Sequence, residues 1–267
     1  MKVLIFANKE KDKDGKILSD LQFHLKNNNV DFFELEEHAK EIEQGFSALF
    51  IIGGDGTILH KIDLATKYNL PIIGINAGKL GFLTEFEPFE VQQAVDLFIS
   101  GKLIQDIRTT ALICLNNEYL ALNDLVIQRI SNDSLDKTLT LDVYIDNDKI
   151  DSIIGDGVII STPTGSTAYS LSAGGAILAP GINAFSITPL AAHSYSQRTV
   201  VYSANNNCKI KLIRGSKIGA FVDGRLVDCL KCNDSIIVKQ SQKVINFLRK
   251  ENSSFFKRLS LKIKNRT

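Results

Sequence analysis

No sign of charge dominates this 267-residue chain. Lys plus Arg number 31 and Asp plus Glu 30, so the formal net charge is +1. Nucleic acid and anionic membrane are therefore poor main partners, because proteins built for them carry a basic excess; a local basic site stays open. Long apolar runs are missing too. None approaches the roughly 18 residues of a membrane span. The opening Met1-Lys-Val-Leu-Ile-Phe-Ala-Asn8 has neither a long apolar stretch nor a cleavage site, so no signal peptide and a cytoplasmic location are expected. Cysteine is sparse: Cys114, Cys208, Cys229 and Cys232 outline no disulfide framework. Cys229-Leu-Lys-Cys232 has neither a second pair nor a nearby His, so reduced thiols are the expectation. Two familiar phosphate-binding patterns are also absent. Gly74-Ile-Asn-Ala-Gly78-Lys79 is one residue short of a Walker A loop and carries Leu80 where Ser or Thr belongs, and no GxGxxG occurs. There is no Gly/Ser/Pro linker, repeat or low-complexity segment.

What is present is a change of texture part-way along. Residues 3–7, 30–35, 48–52 and 71–75 are short apolar runs that read as strands. Between them Ile17, Leu18, Leu21 and Leu25 recur at helical spacing, as do Ile58, Ile62 and Ala65 after a glycine turn. Val91, Ala94, Val95 and Phe98 suit a helix ending at Gly101. Such alternation predicts an α/β domain over 1–102, a parallel sheet with covering helices. From 103 to 250 strand follows strand: 110–115, 118–128, 138–145, 149–161, then 199–203, 209–213, 217–222, 235–239 and 243–248. Asn116-Asn117 and Asp146-Asn147-Asp148 serve as hairpin turns, and 165–175 is the one helical interruption. This predicts a β-rich second domain. The basic segment 251–267 is a tail, a helix or a free end.

Four motifs carry the chemistry. Residues 48–52 run straight into Gly53-Gly54-Asp55-Gly56-Thr57 and then into a helix. Glycines at a strand's carboxyl end let a phosphate approach the main chain, and a helix start favours its charge. A carboxylate there repels a polyphosphate unless it has a task. Asp55 is a proton acceptor for an attacking hydroxyl, a metal ligand, or simply an N-cap. The second motif is Gly155-Asp156-Gly157-Val-Ile-Ile-Ser161-Thr-Pro163-Thr-Gly165-Ser166-Thr167-Ala168-Tyr169-Ser170. Its small residues admit a flat ligand and Tyr169 offers a ring to stack on; a tight strand-to-helix turn is the plainer reading. In the third, Asn123-Asp124 interrupts an apolar run, as a pair for a ribose diol or as a bulge. The fourth, Phe221-Val-Asp223-Gly224-Arg225, holds an Asp-Gly hairpin turn.

These motifs, in this order and spacing, resemble the NAD kinase family over nearly the whole chain, from the first strand to about residue 250. The glycine turn alone is shared with diacylglycerol kinases, sphingosine kinases and phosphofructokinases. The run Ser161-Thr-Pro-Thr-Gly-Ser-Thr-Ala-Tyr169 is far more specific, and Gly74-Ile-Asn-Ala-Gly-Lys-Leu-Gly-Phe-Leu83 looks like the family's loop. The resemblance implies a Rossmann-like α/β N-terminal domain and a sandwich-like C-terminal domain that binds NAD, assembled as a homodimer or homotetramer. It implies phosphorylation of the adenosine-ribose 2′-hydroxyl of NAD by ATP or polyphosphate, helped by a divalent cation, Mg²⁺ above others, with no protein ligand assigned to it. Asp55 would be the general base. Gly53, Gly54, Gly56 and Thr57 would meet the donor phosphates. NAD would be bound by Asp55, Gly56, Asn123, Asp124, Asp156, Thr167, Ala168, Tyr169, Ser170, Leu171, Ser172, Ala191 and Arg225. There are departures. Asp124 stands for the usual Glu, Arg225 for the Gln common in bacterial members, and Ala77 and Lys79 differ from the commonest loop residues. Ile154 replaces an Arg, and His60 and Lys137 are the candidates to supply the missing charge. The rival classes are a lipid or sugar kinase sharing the glycine turn and a non-catalytic nucleotide sensor.

Overall fold

Short apolar strands followed by helical periodicity fold as a parallel layer. In the computed structural model, which describes residues 1–37, 41–79, 81–130, 138–192 and 198–264, the chain forms two compact units. One comprises Met1–Ile107 with Ile245–Thr267, the other Arg108–Val244.

The first unit opens with β1 (Lys2–Ala7), α1 (Lys16–Asn27), β2 (Asp31–Glu34) and β3 (Leu49–Gly53). Two short helices, α2 (Asp55–Leu59) and α3 (Ile62–Lys67), lead to β4 (Ile72–Asn76) and then α4 (Val91–Ile99). The strands pair in parallel in the order β2-β1-β3-β4. Every residue of β3 and β4 is buried. A strand covered on both faces is apolar throughout rather than alternating, as 48–52 and 71–75 are. Leu21 and Leu25 of α1 and Val91, Ala94 and Val95 of α4 close one face over Phe50, Ile52, Ile73 and Ile75. The single helix expected after the glycine turn is split in two. The Lys61 N–H bonds back three residues to Ile58 O (2.9 Å), and its ammonium reaches Glu37 O (2.5 Å) over the Phe6 ring. That pull breaks the helix while Ile58 and Ile62 both stay buried.

The second unit is antiparallel. Its strands are β5 (Ile104–Cys114), β6 (Glu118–Ala121), β7 (Asp124–Arg129), β8 (Leu139–Ile145), β9 (Asp148–Gly155) and β10 (Gly157–Ser161). After α5 (Tyr169–Ser172) come β11 (Ala184–Leu190), β12 (Val200–Ser203), β13 (Cys208–Arg214), β14 (Ile218–Val222), β15 (Arg225–Leu230) and β16 (Ser235–Arg249). One sheet runs β12-β11-β10-β7-β14-β15, and in the other β9, β8, β13 and the start of β16 lie side by side. Leu125, Ile127, Val158, Ile160 and Phe185 of the first meet Leu141, Val143, Ile210 and Val238 of the second in one core, as in a sandwich. Three readings are corrected. Runs 118–128 and 149–161 each break, at Leu122-Asn123 and at Asp156, and 235–239 and 243–248 are one strand. β11 was not anticipated: Ser186, Thr188 and Pro189 dilute its apolar character, yet Ser186 and Thr188 are buried.

The chain ends in α6 (Phe255–Lys264), part of the first unit, where β16 also reaches β4 at Phe247 opposite Ile72.

Candidate functional site

The glycine turn lies at the end of β3. Gly54 is extended (φ −121°) and α2 begins at Asp55, whose carboxylate points away from its own helix. Its Oδ2 accepts the Phe82 N–H (2.8 Å) and its Oδ1 the Leu83 N–H (3.0 Å). Asp55 is thus not the N-cap that one sequence reading allowed. A Cβ on Gly81 would fall 2.1 Å from Oδ1, so only glycine there lets this loop close on the carboxylate. Lys262 Nζ stands 3.9 Å from Oδ2, and the Asp55 side chain keeps 31% of its surface exposed. It is fixed at the back and open at the front, with one lone-pair direction left on each oxygen.

The residues around it have defined tasks. Thr57 is buried, and its hydroxyl accepts the Gly54 N–H (3.3 Å) and the Asn8 amide (3.2 Å). A Cβ on Gly53 would strike the Thr57 side chain at 2.4 Å. A Cβ on Gly54 would lie 2.6 Å from Lys11 Nζ, so an ammonium rests directly on that glycine. Asn8 fixes the Lys11 main chain, its Oδ1 accepting the N–H groups of Glu10 (3.0 Å) and Lys11 (3.3 Å). Gly56 is exposed, and a Cβ on it would meet nothing within 4 Å. His60 is exposed just past α2.

In the second unit three motifs far apart in sequence converge. The Asp223 carboxylate accepts the N–H groups of Leu122 (2.9 Å), Asn123 (2.7 Å) and Asp124 (3.1 Å). It reaches them from a two-residue hairpin turn in which Asp223 (φ 47°) and Gly224 (φ 80°) are left-handed. From the other side, Thr162 N–H donates to Asn123 O (2.9 Å), and Thr162 Oγ1 donates to Leu122 O (2.5 Å). Gly165 packs on the Asn123 backbone so closely that a Cβ would lie 2.1 Å from its carbonyl oxygen. Beyond it the buried Ser166 and Ser170 are tied inward, to Leu178 and to Thr188. Thr167 is buried, Ala168 and Leu171 are half-buried, and Tyr169 and Ser172 are exposed. Arg225, the first residue of β15, lies near enough for its charge to act on Asp223.

Asp156 occupies another part of this unit. Its N–H donates to Leu190 O (2.9 Å), beside Ala191, which is left-handed (φ 42°). Its carboxylate accepts Arg129 Nη2 at 2.6 Å. Ile154 is exposed, and Lys137 lies outside the described residues. Arg129, which the sequence reading did not single out, supplies a cation at Asp156.

Burial first, and the Asp223 carboxylate second, push the Asp124 carboxyl from 3.8 up to about 7. Burial pushes Asp223 up as well, but the three N–H donors and Arg225 oppose it. Asp124 is thus the member of the pair that keeps the proton. With the folded pKa above the unfolded one, stability falls as pH rises between about 4 and about 7 and levels off above that. Asp124→Asn removes the titration. Thermal unfolding from pH 5 to 8 should show the variant gaining roughly 1–3 kcal/mol on the parent chain toward pH 8. Parallel curves would mean that Asp124 is ionised throughout.

Residues 5–103 match the family model of the ATP-NAD kinase N-terminal domain, and 122–250 that of the ATP-NAD kinase C-terminal domain. An NAD kinase of Caldicellulosiruptor bescii is 33% identical over 99% of this chain and 100% of its own length. One of Caldicellulosiruptor saccharolyticus is 35% identical over the same shares. This chain belongs to the NAD kinase family.

Family membership makes it a phosphotransferase. Among solved structures, yeast NADH kinase complexed with NADH is 26% identical with a TM-score of 0.84, covering 97% of this chain and 86% of that one. An NAD kinase from Archaeoglobus fulgidus in complex with ATP shares the fold at 23% identity and a TM-score of 0.83, covering 97% and 99%. Asn8, Lys11, Arg129 and Lys262 are neighbours of motif residues that the sequence did not flag. Asp223 was read only as a turn, because an Asp-Gly pair is sufficient for a hairpin without any use of its carboxylate.

Proposed function

We propose that Asp55 is the general base of an NAD kinase that phosphorylates the 2′-hydroxyl of the adenosine ribose of NAD. The hydroxyl gives its proton to an Asp55 oxygen as its own oxygen bonds to the donor's terminal phosphorus. The bond from that phosphorus to the bridging oxygen breaks, and ADP leaves when ATP is the donor. The observation that carries this reading is the carboxylate itself. Two backbone N–H groups aim it out of its helix, at a glycine turn, with lone pairs to spare. Gly53, Gly54, Gly56 and Thr57 are assigned to the phosphates of ATP or polyphosphate, with Lys11 as their counter-charge. Asn123, Asp124 and the stretch Thr167, Ala168, Tyr169, Ser170, Leu171 and Ser172 are assigned to NAD, together with Asp156, Ala191 and Arg225. The charge missing at Ile154 is assigned to His60 or Lys137, with Arg129 as a further candidate through its contact with Asp156.

Among the described residues no three His, Cys, Asp or Glu side chains converge as a metal site. Mg²⁺ carried on a polyphosphate needs only one or two protein carboxylates, and no protein ligand is assigned to it. The cation neutralises charge on the donor phosphates. A cytoplasmic homodimer or homotetramer is the form we assign to the protein.

Purified protein with NAD, ATP and Mg²⁺ should form NADP, while NAD lacking the 2′-hydroxyl should give no phosphorylated product. A parallel reaction with polyphosphate identifies the preferred donor. No NADP from any donor refutes the assignment.

A further inference from the structure

The C-terminal helix places three unlike side chains on one loop. Phe255, Arg258 and Lys262 are spaced at i, i+3 and i+7, so they share a face of α6. Phe255 stacks on the Phe82 ring with centroids 5.9 Å apart. The Arg258 guanidinium donates to Thr84 O and to the Glu85 carboxylate. The Lys262 ammonium lies 4.3 Å from the centre of the Phe82 ring and 3.9 Å from Asp55 Oδ2. Arg249, 4% exposed at the end of β16, donates to Phe82 O (3.2 Å) and Leu83 O (3.3 Å) and pairs with Glu85 and Asp106. The residues so clamped are the ones whose N–H groups orient Asp55.

We propose that α6 belongs to the phosphoryl-transfer machinery, with Lys262 as a positioning residue whose charge offsets that of Asp55 when the anionic donor arrives. This rests on the reading of Asp55 as the base. A carboxylate beside a triphosphate repels it, and a base whose charge is not offset excludes its own co-substrate. Lys262 is set where it serves both. It is an ion-pair partner of Asp55, and its ring contact keeps it out of bulk water, where screening would weaken it. A helix that only covered the loop would need the ring and the guanidinium, not an ammonium against the carboxylate.

The test is the steady-state kinetics of Lys262→Met, which keeps the aliphatic packing and loses the charge, beside Lys262→Arg, which keeps the charge. Lys262→Met should lower kcat/KM for ATP about tenfold, the scale of one partly screened charge contact. The KM for NAD and the unfolding temperature should stay close to those of the parent, and Lys262→Arg should recover most of the loss. Unchanged kcat/KM for ATP in Lys262→Met overturns the proposal. So does an equal loss in both variants with a lower unfolding temperature, which marks a structural helix. The two readings fail separately. Full turnover in Asp55→Asn removes the base, whereas full ATP kinetics in Lys262→Met removes the helix's charge role and leaves the base in place.

Discussion

Asp55→Asn lowers kcat about 1,000-fold, within the span that a positioned general base contributes, while NAD still binds. The substitution keeps the size of the side chain and removes its capacity to take a proton. It has one structural side effect that follows from the geometry. Both carboxylate oxygens accept N–H groups, from Phe82 and Leu83. An amide offers one acceptor and one donor, so one of those bonds is lost and an N–H faces an NH₂. Leaving one such donor unpaired costs about 1–3 kcal/mol. The expected record is therefore a large fall in kcat, a modest fall in unfolding temperature and an NAD dissociation constant changed by less than about threefold. The residues assigned to NAD mostly belong to the second unit, where the substitution changes no bond. Turnover equal to that of the parent would show that another group takes the proton. Asp55→Ala leaves both N–H groups without their acceptor, a larger disturbance of the loop, and serves as the second variant. If its kcat is as low as that of Asp55→Asn, the loss lies in the missing base and not in the disturbed loop.

Sequence carried the architecture where the physics is local. Five apolar residues ending in two glycines make β3 and its turn recognisable, because a doubly covered strand has no polar face to confuse the pattern. The change from alternating helices and strands to consecutive strands is what the fold shows as parallel pairing in the first unit and antiparallel pairing in the second. Long-range geometry stayed hidden. Nothing near Asp223 reveals that its carboxylate crosses to the backbone of Leu122, Asn123 and Asp124. That depends on β14 pairing with β7 so that Val222 faces Leu125. Lys262 and Asp55 sit near opposite ends of the sequence, and only the return of the chain to the first unit brings them together. β11 escaped because its polar residues Ser186 and Thr188 are buried. Thr188 exchanges hydroxyl contacts with Ser170 and Thr199, so what reads as a polar stretch is core.

Gly165→Ala should be the most damaging one-methyl change in the second unit. Its Cβ would lie 2.1 Å from Asn123 O, 2.5 Å from its carbonyl carbon and 2.7 Å from its Cα. All three are backbone atoms, so no side chain can swing aside to make room. Either the Gly165 turn or Asn123 must move. Asn123 is held by its N–H bond to Asp223 (2.7 Å) and by its carbonyl bond from Thr162 (2.9 Å). Moving it opens both and leaves a buried carboxylate short of a donor. Overpacking costs about 1–3 kcal/mol and a lost buried bond about as much again, so a total of roughly 2–5 kcal/mol is expected. At a few degrees per kcal/mol that is a fall in Tm of roughly 5–15 °C. NAD affinity should fall about tenfold or more, because Asn123 and the Thr167-Ala168-Tyr169 stretch shift relative to each other. Gly56→Ala supplies the contrast, since its new methyl meets open space. Its Tm should stay within about 1 °C of the parent, as for surface changes that touch nothing. Equal Tm values for the two alanine variants would mean that the Gly165 turn yields freely and does not hold Asn123 in place.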